Sequence, residues 1–283
     1  MALLLLAHAA MPGRFAVATV DHRLRAESAA EAAMVGRLCA GRGIAHAILP
    51  IDLSPGAGVQ ARARTARYAA MAQWAAGQGL AAIVTAHHAD DQAETLVMRL
   101  NRGAGVRGLS GMRPVGVVPE SRGLPLLRPL LAWRRADLAG VVAEAEIAAV
   151  DDPSNRDDRF ERARVRMAMA SAPWLNIRDL ADSAARLADA DAAIEWAVGR
   201  AWSGVLDDGE ALTWCPDGPR AIRLRVLERI VAALGSSTPR GREVARWLAA
   251  LESGAVATLA GVRGDATRAA WRFTRAPAHR NAR

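Results

Sequence analysis

The feature that most constrains the fold is an alternation between short apolar runs and longer segments of helical spacing. Apolar runs of strand length occur at 15–20, 46–51 and 81–86, and each precedes a segment whose apolar positions recur every three or four residues. Strands that alternate with helices in this way build units whose strands run parallel. The first part of the chain is therefore predicted to be α/β, with a parallel sheet and helices on both of its faces.

The alternation ends near 173–176, and the remaining sequence has mainly helical spacing. The helical segments span 177–202, 220–234 and 239–251, and a terminal hairpin is expected over 255–261 and 269–273. We therefore predict two domains: a catalytic α/β domain over 1–175, and a smaller, mainly helical domain over 176–283.

The positive charge of the chain restricts its partners. All 37 basic residues are arginines, against 29 acidic residues, which gives a net charge of +8 and an isoelectric point near 11.1. A surface with this excess of positive charge favours a polyanion, such as nucleic acid or a nucleotide.

Cysteine use and apolar content indicate the compartment. Cys39 and Cys215 are the two cysteines, so there is neither a disulfide framework nor a CxxC motif, which fits a reducing cytosol. No apolar run approaches the roughly 20 residues that span a bilayer. Residues 1–10 are apolar like the core of a signal peptide, but they lack the basic residues that precede one, and a helix is expected there instead. We expect a cytoplasmic protein that does not contact membranes.

The densest group of candidate site residues follows the strand predicted at 81–86. Two histidines come directly after it, at the carboxyl end of a strand, where open α/β sheets bind ligands. Three carboxylates then fall in the first turn of a helix, where free backbone N–H groups and the helix dipole favour anions. Two arginines follow on the same helix. These candidates are His87, His88, Asp90, Asp91, Glu94, Arg99 and Arg102.

The helical spacing of this segment separates an apolar face from a polar one. The face expected in the core carries Ala93, Leu96, Val97 and Leu100, and the opposite face carries Asp91, Glu94, Thr95 and Arg102. An acidic first turn that merely caps a surface helix is the alternative. Three acids and two histidines in so short a segment favour a functional site.

Three further groups of polar residues are candidates. One follows the strand at 15–20, again at a carboxyl end, and one lies in a glycine-rich stretch at 103–123. The third is a pair of arginines four residues apart, which share one face of a helix and form either a clamp for an anion or a solvated basic stripe. The residues concerned are Asp21, His22, Arg25, Arg113, Arg162 and Arg166.

Several motifs together resemble a known family. They are VDHRLRAES at 20–28, HHADDQAETLVMRLNRG at 87–103, GMRP at 111–114, LLRPLL at 126–131 and DDPSNRDDRFERARVR at 151–166. This combination resembles the bacterial tRNA(Ile)-lysidine synthetases, a family of N-type ATP pyrophosphatases of the PP-loop type. TLAGVRGD at 258–265 and WRFTR at 271–275 are similar to weaker motifs of the family's first substrate-binding domain.

The resemblance implies a two-step reaction on a tRNA(Ile) precursor. ATP, with Mg²⁺, adenylates the carbonyl oxygen of the wobble cytidine, pyrophosphate leaves, and the ε-amine of free lysine then displaces AMP. Asp91 and Glu94 would orient the lysine amine or hold the metal, whose ligands stay unassigned. Arg162 and Arg166 would stabilise the phosphate or adenylate charge. Substrate contacts are expected from Asp21, His22, Arg25, His87, His88, Asp90, Arg99, Arg102, Arg113 and Asn155.

The sequence departs from the family at its beginning. The family starts with a strand and a Ser-Gly-Gly-x-Asp-Ser loop that holds pyrophosphate at a helix N-terminus. This chain has no such loop, and 1–4 resembles the helix that follows it, so we expect the first strand to be missing. We also expect residues 1–283 alone to bind ATP poorly and not to turn over. A start codon placed too late is the preferred explanation. The alternatives are an inactive tRNA-binding remnant or another PP-loop pyrophosphatase, although thiolating relatives are expected to use cysteine pairs.

Overall fold

The chain folds into two compact units, Met1–Ala188 and Asp189–Arg283. The computed structural model describes residues 1–23, 28–52, 56, 58–119, 121–147 and 159–277. The division between the units falls inside one long helix, a little beyond the predicted domain boundary at 175, which stays a prediction.

The first unit alternates strands and helices, as the apolar pattern predicts. Its elements are α1 (Ala2–Ala10), β1 (Val17–Asp21), α2 (Ser28–Ala40), β2 (His46–Pro50), α3 (Val59–Gly77), β3 (Ile83–Val84), α4 (Ala89–Asn101), α5 (Val106–Leu109), β4 (Val115–Val117), β5 (Pro125–Leu127), α6 (Arg135–Glu144), α7 (Glu161–Ala170) and the start of α8 (Ile177–Trp202). The three predicted strands are therefore present as β1, β2 and β3, and a helix follows each of them.

The strands of this unit form two small sheets. β1 and β2 pair in parallel, from Val17 opposite His46 to Asp21 opposite Pro50. β3 pairs in parallel with β5, and β4 pairs with β5 in the antiparallel direction. The predicted α/β fold with parallel strands is thus confirmed, and β4 adds an antiparallel edge. β4 and β5 have only three residues each, too few for their spacing to reveal a strand.

The two sheets of the first unit are not joined by strand pairing between β1 and β3 in the described residues. A cavity of about 870 Å³ lies beside both strands. It is lined by Thr19 and Val20 of β1, by Ala86 and His88 after β3, and by side chains of α2 and α6. The prediction of a missing first strand remains a prediction.

Helix α1 is apolar on nearly every side, and its residues belong to two hydrophobic clusters. Ala2 belongs to a buried cluster with Leu130 and Leu138, and Leu4 belongs to another with Cys39 and Ile44. A helix that is hydrophobic all round requires burial on more than one face. In the described ranges, no helix combines the length and apolar content needed to cross a membrane.

The second unit is organised around one hydrophobic core. It contains the end of α8, α9 (Arg220–Leu234), α10 (Gly241–Glu252) and a five-stranded antiparallel sheet of β6 (Leu206–Asp207), β7 (Ala211–Trp214), β8 (Val256–Leu259), β9 (Val262–Asp265) and β10 (Trp271–Arg275), in the order β6-β7-β10-β9-β8. Trp214 packs edge-on against Trp271, with ring centroids 6.0 Å apart. The three predicted helices are present. The sheet is larger than the predicted terminal hairpin because β10 also pairs with β7.

Candidate active site

Helix α4 begins just after β3, and its first turn supplies the centre of the site. The backbone N–H of His88 donates to Oδ2 of Asp91 at 2.9 Å, and the backbone N–H of Asp91 donates to Nδ1 of His88 at 3.4 Å. This reciprocal capping satisfies two backbone donors at the start of the helix. Because capping uses only Oδ2, the second oxygen of Asp91 can bind a partner outside the helix.

That partner comes from α7, which lies about 70 residues further along the chain. The Arg162 guanidinium donates to Oδ1 of Asp91 at 2.8 Å and to Oε2 of Glu94 at 2.6 Å. Arg166 donates to both oxygens of Glu94, at 2.7 and 3.3 Å. Two carboxylates and two guanidinium groups therefore form one connected cluster. We call Asp91, Glu94, Arg162 and Arg166 the ion-pair cluster.

Burial makes the ion-pair cluster stronger than surface ion pairs, because less water screens its charges. The Glu94 side chain is 4% exposed and that of Asp91 is 16% exposed. Hydrogen bonding to Glu94 raises the pKa of Arg166, against the opposing effect of burial. Arg162 and Arg166 therefore do not form the solvated basic stripe that was the alternative prediction, because both side chains pair with buried or partly buried acids.

The structure contradicts the predicted faces of α4 at two residues. Glu94 was expected on the polar face, yet it is buried beneath the two arginines of α7. Leu100 was expected in the core, yet it is 52% exposed near the end of the helix, whereas Ala93 and Leu96 are buried as predicted. The neighbouring helix α7 covers part of the face that spacing alone assigns to solvent.

His87 is held in its neutral form. Burial, together with the positive charges of Arg128, Arg162 and Arg64, lowers the pKa of His87 to about 4, against the opposing effect of Asp91. The Thr85 hydroxyl lies 2.9 Å from Nδ1 of His87. A neutral imidazole beside the ion-pair cluster can form hydrogen bonds without adding charge.

Asp90 connects α4 to α6. Its carboxylate accepts hydrogen bonds from the Arg134 side chain at 3.1 and 3.2 Å and from the Arg135 backbone N–H at 2.8 Å. Burial raises the pKa of Asp90, but these hydrogen bonds outweigh burial and lower the pKa overall. With Glu94, Arg134 and Arg166, Asp90 also lines a cavity of about 310 Å³.

A glycine-rich loop near the site is held by residues that sequence reasoning missed or assigned elsewhere. The buried Gln92 side chain donates to the Met112 carbonyl at 2.9 Å and accepts from the Met112 N–H at 2.7 Å. Arg99, a predicted substrate contact, donates to the carbonyls of Gly108 and Gly111 at 2.6 and 3.4 Å. Arg128 donates to the Arg113 carbonyl at 2.8 Å. No sequence signal marks Gln92, because a glutamine that directly follows two acids looks like another surface residue.

The other predicted residues lie in different surroundings. Asp21 accepts hydrogen bonds from the Ser28 hydroxyl at 2.7 Å and the Arg23 N–H at 2.9 Å, which lower its pKa. Burial and the charge of Arg67 lower the pKa of His22, whose Nδ1 is buried without a hydrogen-bond partner among described residues. Arg102 forms an ion pair with Glu161. The positions of Arg25 and Asn155 lie outside the described residues.

The described residues contain no group of three or more His, Cys, Asp or Glu side chains arranged to hold a metal ion. Asp91, Glu94 and Asp90 all have arginine partners. To bind Mg²⁺, which takes oxygen ligands, these carboxylates would exchange an arginine contact for a bond to the metal.

The fold and the site place the chain in a known class. Residues 1–172 match the PP-loop domain family, whose members use ATP. The chain is 59% identical to the tRNA(Ile)-lysidine synthase of Novosphingobium aromaticivorans over 100% of its own length and 87% of that protein, and 38% identical to the enzyme of the same name from Zymomonas mobilis over 93% of its length and 82% of that protein. The chain belongs to the tRNA(Ile)-lysidine synthase family. The resemblance predicted from the motifs is thus confirmed.

A solved structure supports the fold assignment. The U34-tRNA thiolase of Methanococcus maripaludis, with its [4Fe-4S] cluster, has a similar structure, with a TM-score of 0.50 and 14% identity over 66% of this chain and 64% of that one. The likeness concerns the fold alone.

The two cysteines of this chain do not pair with each other. Cys39 is buried and Cys215 is exposed, and both are free thiols.

Proposed function

We propose that this chain catalyses formation of lysidine on a tRNA(Ile) precursor, at the expense of ATP and free lysine. The ion-pair cluster supports this proposal best. It combines paired carboxylates, which suit an ammonium ion, with paired guanidinium groups, which suit a phosphate. A reaction that joins an amine to a phosphate-activated base requires both, and the chain shares its family with named tRNA(Ile)-lysidine synthases.

The reaction divides into two transfers. In the first, the carbonyl oxygen of the wobble cytidine attacks the α-phosphate of ATP, and pyrophosphate leaves. In the second, the bound ε-ammonium of lysine gives one proton to water, the resulting amine attacks the ring carbon that carries this oxygen, the carbon–oxygen bond breaks, and AMP leaves with its electron pair. The nitrogen then loses a second proton to water.

The residues of the site would serve these steps in distinct ways. Asp91 and Glu94 bind and orient lysine through its positive charge. Arg162 and Arg166 lie next to these carboxylates and stabilise negative charge on the phosphate. Neutral His87 offers hydrogen bonds to the base or the ribose without repelling cations. Gln92 and Arg99 hold the segment 108–113 through its backbone, and we propose that Arg113 of this segment contacts the polyanionic substrate.

Mg²⁺ would accompany the ATP phosphates, since it usually keeps substrate phosphates and water among its ligands. The carboxylates of the ion-pair cluster have arginine partners and do not make a metal site by themselves. We assign no step to the metal. We also propose that residues 176–283 bind the tRNA and that the protein is cytoplasmic. The chain carries a net charge of +8, and tRNA is a cytoplasmic polyanion.

The proposal is tested by transfer of labelled lysine to a tRNA(Ile) transcript in the presence of ATP. Replacing Glu94→Gln removes one negative charge from the ion-pair cluster. We expect the rate at limiting lysine to fall roughly 100-fold, the equivalent of one charge-assisted hydrogen bond of about 1.5–3 kcal/mol.

Arg164→Gln is the matched control on the same helix. The Arg164 guanidinium donates to the Arg159 carbonyl at 3.2 Å, and its side chain is exposed on α7. This variant should retain the wild-type rate within about two-fold. The assay is run in parallel on residues 1–283 and on a chain extended upstream to any in-frame start, because residues 1–283 alone are expected to bind ATP poorly. Failure of both chains to label tRNA(Ile) under these conditions would contradict the proposal.

A further inference from the structure

The ion-pair cluster is electrically balanced before any substrate arrives. Its two carboxylates and two guanidinium groups sum to zero charge, and every charged side chain has an oppositely charged partner within 3 Å. A lysine ammonium gains little from a balanced cluster, because its attraction to the carboxylates is offset by repulsion from the arginines. One guanidinium must therefore leave the carboxylates before they can bind lysine tightly.

The two arginines differ in their exposure and in the acids that they contact. Arg166 contacts both oxygens of buried Glu94, and its side chain is 29% exposed. Arg162 makes one hydrogen bond to each carboxylate, and its side chain is 41% exposed. Movement of Arg162 toward solvent breaks one contact with each acid and leaves Glu94 paired with Arg166.

We propose that Arg162 occupies the position of the substrate ammonium, and that lysine binds by displacing it from Asp91 and Glu94. The inference rests on the proposed function. Displacement frees Oδ1 of Asp91 and removes the shorter of the two contacts to Oε2 of Glu94, which keeps its 3.3 Å contact with Arg166, so both oxygens can accept from the ammonium N–H groups. It also frees the guanidinium to bind the phosphate of the adenylated base.

The displacement couples lysine binding to stabilisation of the phosphate, and the second transfer requires both. Before lysine binds, the carboxylates hold Arg162, so the adenylate phosphate lacks one of its positive partners. After lysine binds, Arg162 is available to stabilise AMP as it leaves. Arg162 thus competes with lysine for the carboxylates and also promotes the reaction of bound lysine.

The two roles predict opposite effects of one substitution. Arg162→Gln removes the competing charge, so we expect the Kd of free L-lysine, measured by equilibrium dialysis, to fall roughly ten-fold, which corresponds to about 1.4 kcal/mol. The same change removes a phosphate partner, so the single-turnover rate of lysine transfer at saturating lysine should fall roughly 100-fold. Arg164→Gln removes the same charge elsewhere on α7 and should leave the Kd within about two-fold.

The outcomes separate this inference from the proposed function. Tighter lysine binding with slower transfer supports the displacement. Unchanged or weaker binding in a folded Arg162→Gln protein overturns it, even if the wild-type chain makes lysidine. If Arg162→Gln lacks the wild-type circular dichroism spectrum, Arg162→Met gives an independent measurement. Methionine has a similar length and forms no hydrogen bonds to the carboxylates. A wild-type chain that neither binds lysine nor labels tRNA(Ile) refutes both proposals.

Discussion

The attachment of the glycine-rich loop to α4 gives a sharp prediction, because it depends on one side chain. Gln92 is 4% exposed and makes two hydrogen bonds to Met112, one as donor and one as acceptor. Gln92→Leu keeps a similar volume and removes both. Each bond contributes about 0.5–1.5 kcal/mol, and each buried group left without a partner costs about 1–3 kcal/mol. Water reaches half-buried Met112, so we expect a total loss of about 2–3 kcal/mol.

Hydrogen exchange measures this loss locally, which matters because two compact units do not guarantee a single unfolding transition. A loss of 2–3 kcal/mol accelerates exchange of the Met112 amide by roughly 30- to 150-fold, since about 1.4 kcal/mol is ten-fold. Gln73→Leu on the exposed face of α3 is the control and should change exchange at Met112 less than two-fold. Acceleration below about five-fold in Gln92→Leu would show that other contacts hold the loop.

Two further predictions concern protonation. The folded-state pKa of Asp90 is lowered, so its stabilising effect is present above the unfolded pKa of about 3.9 and is lost as the pH falls through the folded value. Asp90→Asn should cost about 1–2 kcal/mol at pH 7 in urea unfolding, with the difference shrinking toward pH 3, and a constant difference would argue against an ionised Asp90. The folded-state pKa of His87 is about 4, whereas an unfolded histidine titrates near 6.5, so stability should fall as the pH drops from about 6.5 to 4. NMR titration of His87 with a midpoint above about 6 would contradict the burial argument.

The sequence predicted the strands and helices of the first unit well because their apolar spacing is regular over many residues. The helix α8 has the predicted limits, Ile177–Trp202. The strands β4, β5 and β6 were not recognised, since each has two or three residues and exists only through pairing with a neighbour. Local patterns carry little information about such pairings.

The candidate site was predicted as a set of residues but not as an arrangement. The carboxyl end of a strand and an acidic segment at the start of a helix are local features, and they identified Asp91 and Glu94. Glu94 was predicted in the first turn of α4, but the acidic residues of that turn are Asp90 and Asp91. The contacts of these acids with Arg162 and Arg166 span 68–72 residues, and spacing within one helix cannot reveal them. The same limit explains why Glu94 was placed on an exposed face and why Gln92 was overlooked.

The two acids of the ion-pair cluster are not equivalent as targets for mutation. Asp91 uses one oxygen to cap α4 and the other to bind Arg162, so its replacement alters both helix initiation and the charge of the cluster. Glu94 contacts Arg162 and Arg166 with its carboxylate, one turn further into the helix, where backbone donors already have partners. Activity lost in Glu94→Gln therefore reports on charge, whereas activity lost in a variant of Asp91 also reports on the position of α4. That position matters because three consecutive residues of one helical turn hold three different parts of the unit. Asp90 binds the start of α6, Asp91 binds α7, and Gln92 binds the loop at Met112.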